Sequence, residues 1–246
     1  MKKLPETDAI FERLAQVNPD ADADETVLRL SVDAKATIPI GLFSRGGYSR
    51  LTIKAWDHDF KPTHKVTPVG VFLPQYNQLY LFLISGPLTA DAIADCIRET
   101  WLLLADRFPT VRTLVLNLDN GPQNHSRRTQ FIKRLTDLVD ECHLALELAY
   151  YPPYHSKYNP LERCGGMLEN HWNGALLDSI ETVLAYARTM TWKGMQPVVE
   201  LVTTTYKTGV KLTKQAMNQV ENQIQRQPGL EKWFVDIYPP PNAWDA

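Results

Sequence analysis

RTLVLNLDNG, residues 112–121, decides the fold. Leu114, Val115, Leu116 and Leu118 make an almost continuous apolar run, the mark of a strand buried on both faces in a parallel pairing. The run ends on Asp119, and the turn pair Asn120-Gly121 follows at once. An acid in that position lies where open α/β sheets hold their ligands, beyond the carboxyl end of a strand.

Upstream, TVLRLSVD (26–33) sets Leu28, Leu30 and Val32 on one face and closes on a second acid, Asp33. LFSRGGYSR then turns at Gly46-Gly47. KVTPVGVFLP (65–74) and QLYLFLISG (78–86) add two strands, which with the first predict an antiparallel meander. From Thr89, a plausible cap, the period becomes helical through Ile93, Ile97, Trp101, Leu104 and Phe108, and Pro109 ends the run. Downstream, Phe131, Ile132, Leu135, Leu138, Val139 and Cys142 form another helical stripe, and LALELAYY (144–151) is a fifth strand. After the loop PPYHSKYNP a helix runs from about Pro160 to Trp172. The order βββαβαβα predicts an α/β fold: a mixed five-stranded sheet flanked by helices, RNase H-like in its order. The expected division is a lead-in over 1–25, a core over 26–175 and a helical C-terminal extension over 176–246, with a helical segment around Lys211 to Gln225.

The bulk properties limit the class. The three cysteines, Cys96, Cys142 and Cys164, are far apart and without metal-ligand spacing, which fits a reducing, cytoplasmic setting better than a disulfide framework. Charges interrupt every apolar stretch of MKKLPETDAIFERL, so a secretory signal is not expected, and no run reaches the roughly 20 apolar residues of a membrane span. A soluble protein is expected. The net charge of −2 counts against a uniformly basic nucleic-acid binder. Positive charge is local instead: from Asp33 to Lys65 there are six Lys or Arg against three Asp, whereas residues 1 to 30 hold seven acids against four bases.

Two strand-terminal carboxylates that converge on one crevice repel, and a cation relieves them; oxygen-only ligands suit Mg²⁺ or Mn²⁺. Each acid also has a plainer role. Asp33 and Asp119 can be turn formers. Glu162 can complete a capping box, with Asn159 as N-cap and Pro160 at the first helical position. On the helical wheel Leu161, Gly165, Leu168 and Trp172 form the buried stripe, with Glu162, Gly166 and Glu169 beside it. Gly165-Gly166 costs around 1 kcal/mol per glycine in a helix, so close approach of another backbone or of a substrate is expected there, or more simply a local kink.

SVDAKATIPIG (31–41), NLDNGPQNHSRRTQF (117–131) and YYPPYHSKYNPLERCGGMLENHWNG (150–174) resemble the three acidic motifs of bacterial insertion-sequence transposases of the ISAzo group, described by the Rhodopirellula-type transposase DDE domain. Tc/mariner transposases and retroviral integrases are more distant relatives of that group. The resemblance runs from PETDAIFE through TMTWKG to KWFVDI, and the long third motif is its most specific part. It implies that Asp33, Asp119 and Glu162 are catalytic metal ligands for two Mg²⁺ or Mn²⁺ ions, with 42 residues between the second and third. The implied reaction is hydrolytic nicking at element ends followed by attack of the freed 3′-hydroxyl on target DNA. Relatives carry a helix-turn-helix ahead of the core, whereas about 25 residues precede the first strand here. A partner polypeptide carrying that region, a homo-oligomeric active complex and a bacterial, nucleoid-associated location are therefore expected. So is a truncated or frameshifted origin.

Basic and polar residues beside the motifs are candidate DNA contacts: Lys35, Arg45, Arg50 and Lys54 near the first acid, Asn120, Gln123, Asn124, His125 and Arg127 after the second, and His155, Lys157, Asn159 and Arg163 around the third. Phosphate contacts of this kind position DNA without reading its sequence. Asp57 and Asp59, with His58 between them, form a rival acid pair, and His64 is a possible surface ligand. Two other functions remain open: an RNase H-type nuclease, and a non-catalytic remnant that pairs with an intact transposase.

Overall fold

The structure is a computed structural model that describes residues 4–43, 62 and 64–241. In chain order the elements are α1 (Thr7–Ala23), β1 (Val27–Ala34), β2 (Ile38–Ile40), β3 (His64–Leu73), β4 (Gln78–Ile84), α2 (Ala90–Leu104), β5 (Thr113–Leu118), α3 (Thr129–Cys142) and β6 (Ala145–Tyr150). They continue as α4 (Pro160–His171), α5 (Ile180–Thr189), β7 (Val198–Val202), α6 (Lys214–Glu221), β8 (Ile224–Arg226) and β9 (Phe234–Ile237). The strands lie in the order β7-β4-β3-β1-β5-β6-β9-β8, with β2 paired to β3. β1, β3 and β4 are antiparallel neighbours, whereas β1, β5 and β6 run parallel. This mixed sheet is the RNase H-like arrangement that the sequence order predicts.

Alternation along β1 sorts the two faces. Leu28, Leu30 and Val32, with Val69 and Val71 of β3, join the core under Ile93 and Ile97 of α2 and Phe131 and Leu135 of α3. On the other face Phe72, Leu79 and Leu81 pack under Leu161, Leu168 and Trp172 of α4. α1 shares that second side. Its Asp22 accepts from the buried Arg29 at 2.8 Å, Arg29 also reaches Asn117, and Asn117 donates to Asn18 at 2.9 Å.

Three expectations need correction. Among the described residues the sheet has nine strands rather than five. The C-terminal part is not purely helical: besides α5 and α6 it supplies β7, which pairs parallel with β4, and β8 and β9, which extend the sheet beyond β6. These strands are three to five residues long, too short to display a period, and their partners define them. The lead-in is also more than a lead-in, because α1 buries Ile10, Leu14, Val17 and Ala21 and packs against β1 and β6. Arg45, Arg50, Lys54, the Gly46-Gly47 turn and the Asp57/Asp59 pair with His58 lie outside the described residues. Among the described residues no helix is long and apolar enough to cross a membrane.

One added strand creates a like-charged pair. Glu147 of β6 stands directly opposite Asp236 of β9. Burial, then Asp236, raises the Glu147 pKa despite Arg13 at 3.8 Å; burial also raises that of Asp236. An acid whose folded pKa lies above its unfolded value stabilises the fold below the unfolded pKa and loses that contribution as pH rises through the folded one. Glu147→Gln should therefore raise neutral-pH stability, by roughly 0.2–1 kcal/mol for a directly opposed pair. In urea titrations the gain should be present at pH 7 and shrink to nothing below about pH 4.

Candidate active site

β1 and β5 deliver the first two acids by register alone. The last aligned pair of the parallel ladder is Val32 with Leu118, so Asp33 and Asp119 occupy the next step. Neighbouring strands lie about 4.8 Å apart, and residues in register on parallel strands point to the same side. Asp33 is 6% exposed. Its carboxyl is pushed up to about 6, by burial first and by the negative charges of Asp119 and Glu162 besides, against the opposing pull of Lys35.

The third acid arrives on α4 from the far side of a loop. Asn159 caps that helix: its side-chain oxygen accepts from the Leu161 amide at 3.0 Å and from the Ser31 hydroxyl, while its amide donates to the Val32 carbonyl at 3.4 Å. The cap thus bonds to the same strand that carries Asp33. Pro160 occupies the first turn, where its missing N–H costs nothing. The next residue, Leu161, lies over Gly70 of β3, the residue paired with Asp33; a Cβ at Gly70 would stand 2.9 Å from Leu161 methyl carbons.

Lys35 joins the two sides. Its Nζ lies 2.6 Å from Asp33 Oδ2 and 2.6 Å from Glu162 Oε2. Burial works to lower the ammonium's pKa, but the two carboxylates outweigh it and the pKa is raised. The ammonium therefore stays charged between them. The stem crosses α4 at Gly165, where a Cβ would come within 2.2 Å of Lys35 Cε. What approaches is a side chain rather than the expected backbone or substrate, and it concerns Gly165 only: Gly166 faces open space.

Asp119 has its own partner. Asn124, in the loop after β5, donates to Asp119 Oδ1 at 2.7 Å, and the Tyr150 hydroxyl donates to the Asn124 carbonyl at 2.7 Å. The Asn124 side-chain oxygen is buried without a hydrogen-bond partner. Among the described residues no three His, Cys, Asp or Glu side chains are gathered closely enough to hold an ion as they stand. A cationic group nonetheless already sits on two of the three acids. An oxygen-only donor set, mutual repulsion felt at Asp33 and an unpartnered buried oxygen beside Asp119 all fit a hard divalent cation.

The remaining candidates divide by exposure. Asn159 is not a DNA contact in this structure, because at 1% exposure its polar atoms serve the helix and β1. His155 is buried edge-on against Phe11, its Nδ1 2.9 Å from the Pro153 carbonyl. Lys35 faces the acids rather than solvent. Asn120, Arg127, Lys157 and Arg163 are exposed. Burial, with Arg127 and Arg128, lowers the pKa of His125, which accepts from the Arg127 amide at 3.3 Å. Exposed His64 lies on β3. Sequence reasoning missed Asn124 as the partner of Asp119 and Lys35 as the partner of Asp33. Lys35 was within reach, since positions two apart on an extended chain share a side.

The chain matches the family model of the Rhodopirellula transposase DDE domain over residues 1–239. No curated protein matches it. Solved structures that it resembles include the Mos1 transposase paired-end complex with left transposon end, at 14% identity and a TM-score of 0.48, covering 75% of this chain and 55% of that one. The Mos1 mariner paired end complex with Mn gives 11% identity and a TM-score of 0.49 over 76% of this chain and 54% of that one. The human cytomegalovirus terminase nuclease domain gives 11% identity and a TM-score of 0.29, covering 80% and 74%. The chain spans about half the length of the Mos1 chains it matches.

The cap and the exposed base on α4 should behave oppositely on substitution. Asn159→Ala removes a cap and strands the Ser31 hydroxyl, a loss of about 1–3 kcal/mol in chemical denaturation. Arg163→Ala should stay within about 0.5 kcal/mol of the parent.

Proposed function

Because the chain belongs to the Rhodopirellula transposase DDE domain family, we propose that it is a transposase catalytic core whose metal ligands are Asp33, Asp119 and Glu162. The reaction is Mg²⁺- or Mn²⁺-dependent hydrolysis of phosphodiester bonds at element ends, followed by strand transfer into target DNA. One observation carries this proposal: two acids follow the last register pair of neighbouring parallel strands, and a third meets the first of them across the Lys35 ammonium. A structural network would be expected to balance its charges. Among the described residues one lysine pairs with two of the three carboxylates, which leaves negative charge for a ligand to neutralise.

When bound, two such ions supply positive charge to the attacking and leaving oxygens of an in-line displacement. The chain's own residues do the rest. Asn124 orients Asp119 through its amide, and its unpartnered oxygen can accept from a water or hydroxyl at the site. Burial of Asp33 keeps water away and makes charge neutralisation there more favourable than in open solvent. Arg127, Lys157 and Arg163, exposed around the acids, hold the DNA by its phosphates, and Asn120 adds a polar contact. The partners that go with this function are DNA, further copies of the chain and a helix-turn-helix region to recognise the ends, in the same polypeptide or another, at a bacterial nucleoid.

Nicking and end-joining on cognate element ends, read on sequencing gels with Mg²⁺ or Mn²⁺, test the proposal. Asp119→Asn and Glu162→Gln should each lower both steps more than about a hundredfold, and Asn124→Ala about 10- to 100-fold through the ligand it orients. Unchanged activity in the two carboxylate variants contradicts the assignment. Cleavage of RNA–DNA hybrids without joining would indicate an RNase H-type nuclease instead.

A further inference from the structure

We propose that Lys35 is an internal cation that competes with the divalent metal for Asp33 and Glu162, and that Gly165 is the notch in α4 that admits it; this rests on the metal assignment above. The ammonium lies 2.6 Å from an oxygen of each acid, and its side chain is only 17% exposed. These two acids come from different elements, β1 and α4, so the lysine holds the helix to the strand while it neutralises the site. A divalent ion needs carboxylate oxygens at about 2.0–2.1 Å and repels an ammonium on the same oxygens. The metal-free and metal-bound arrangements therefore exclude each other at Asp33 and Glu162. Lys35 must withdraw before the site closes on an ion.

Gly165 gives the proposal a sequence-level counterpart. A glycine weakens a helix by roughly 1 kcal/mol relative to alanine, which calls for a reason at each position. At Gly165 a Cβ would meet Lys35 Cε at 2.2 Å and Cδ and Nζ at 3.0 Å, whereas Gly166 beside it meets nothing within 4 Å. Of the two glycines, only Gly165 leaves room that the lysine stem uses. A lysine serving as a solvent-facing DNA contact would need no such notch.

Mn²⁺ titration of the full chain by calorimetry, paired with melting curves in chelator and in Mn²⁺, tests this directly. Lys35→Met and Lys35→Gln remove the competing charge with long side chains, and two variants guard against a folding defect in one. Both should bind Mn²⁺ about tenfold or more tightly than the parent. Both should melt lower than the parent in chelator and gain more from added Mn²⁺. Asp119→Asn should abolish the binding and so locate it. Equal or weaker Mn²⁺ binding by the lysine variants overturns the competition while leaving the metal assignment intact. Absence of any binding that depends on Asp119, in parent and variants alike, overturns both.

Discussion

Helix α4 comes so close to the sheet that β3 has no room for a side chain beneath it. Leu161 occupies the space where Gly70 would otherwise carry a Cβ, with its methyl carbons 2.9 Å from that point. The contact is apolar and deeply buried, and Leu168 and Trp172 prolong it along the helix. Everything functional on the third motif inherits its position from this docking. Because Gly70 pairs with Asp33, the residue that fixes the helix and the acid that needs a partner from it are neighbours across one ladder. The Asn159 cap then sets the helix's start against β1 through Ser31 and Val32. Glu162, one residue beyond the docking leucine, faces Asp33 as a consequence.

That geometry is electrostatically expensive. Asp33 is buried, two further carboxylates act on it, and among the described residues the Lys35 ammonium offsets them. Lys35 ties two of these acids together, but the third adds only repulsion, and removing charge from such a cluster is a common route to stability. Strain of this kind persists when a ligand relieves it. The Glu147/Asp236 pair also repels, with Asp20 of α1 adding to the repulsion, but it has Arg13 alongside and does not lie at the ends of the parallel strands.

Much of this was legible in the sequence, and the boundary of legibility has a physical origin. Patterned runs ending on acids identify both strands: β1 by the alternation of Leu28, Leu30 and Val32, and β5 by the near-continuous apolar run of a strand buried on both faces. The 3.6-residue stripe of α4 correctly assigns Leu161, Leu168 and Trp172 to the core. What a single sequence does not display is pairing between distant short segments. β7, β8 and β9 carry too few residues for a period, and only their neighbours make them strands. The two roles of the third motif were likewise indistinguishable: Asn159 is an N-cap, and Glu162, placed where a capping box would use it, turns to Lys35 instead. Lys35 itself was assigned to DNA, since a basic residue beside an acid has the same sequence signature whether it faces solvent or the acid.

The central claim is that acids from β1, β5 and α4 form one divalent-cation site. Anomalous diffraction from crystals of the protein grown with Mn²⁺ tests it most directly. The account predicts anomalous density between Asp33, Asp119 and Glu162, in contact with oxygens of all three, with the Lys35 ammonium displaced. Density elsewhere, or none at these acids with Lys35 still bridging Asp33 and Glu162, would contradict it.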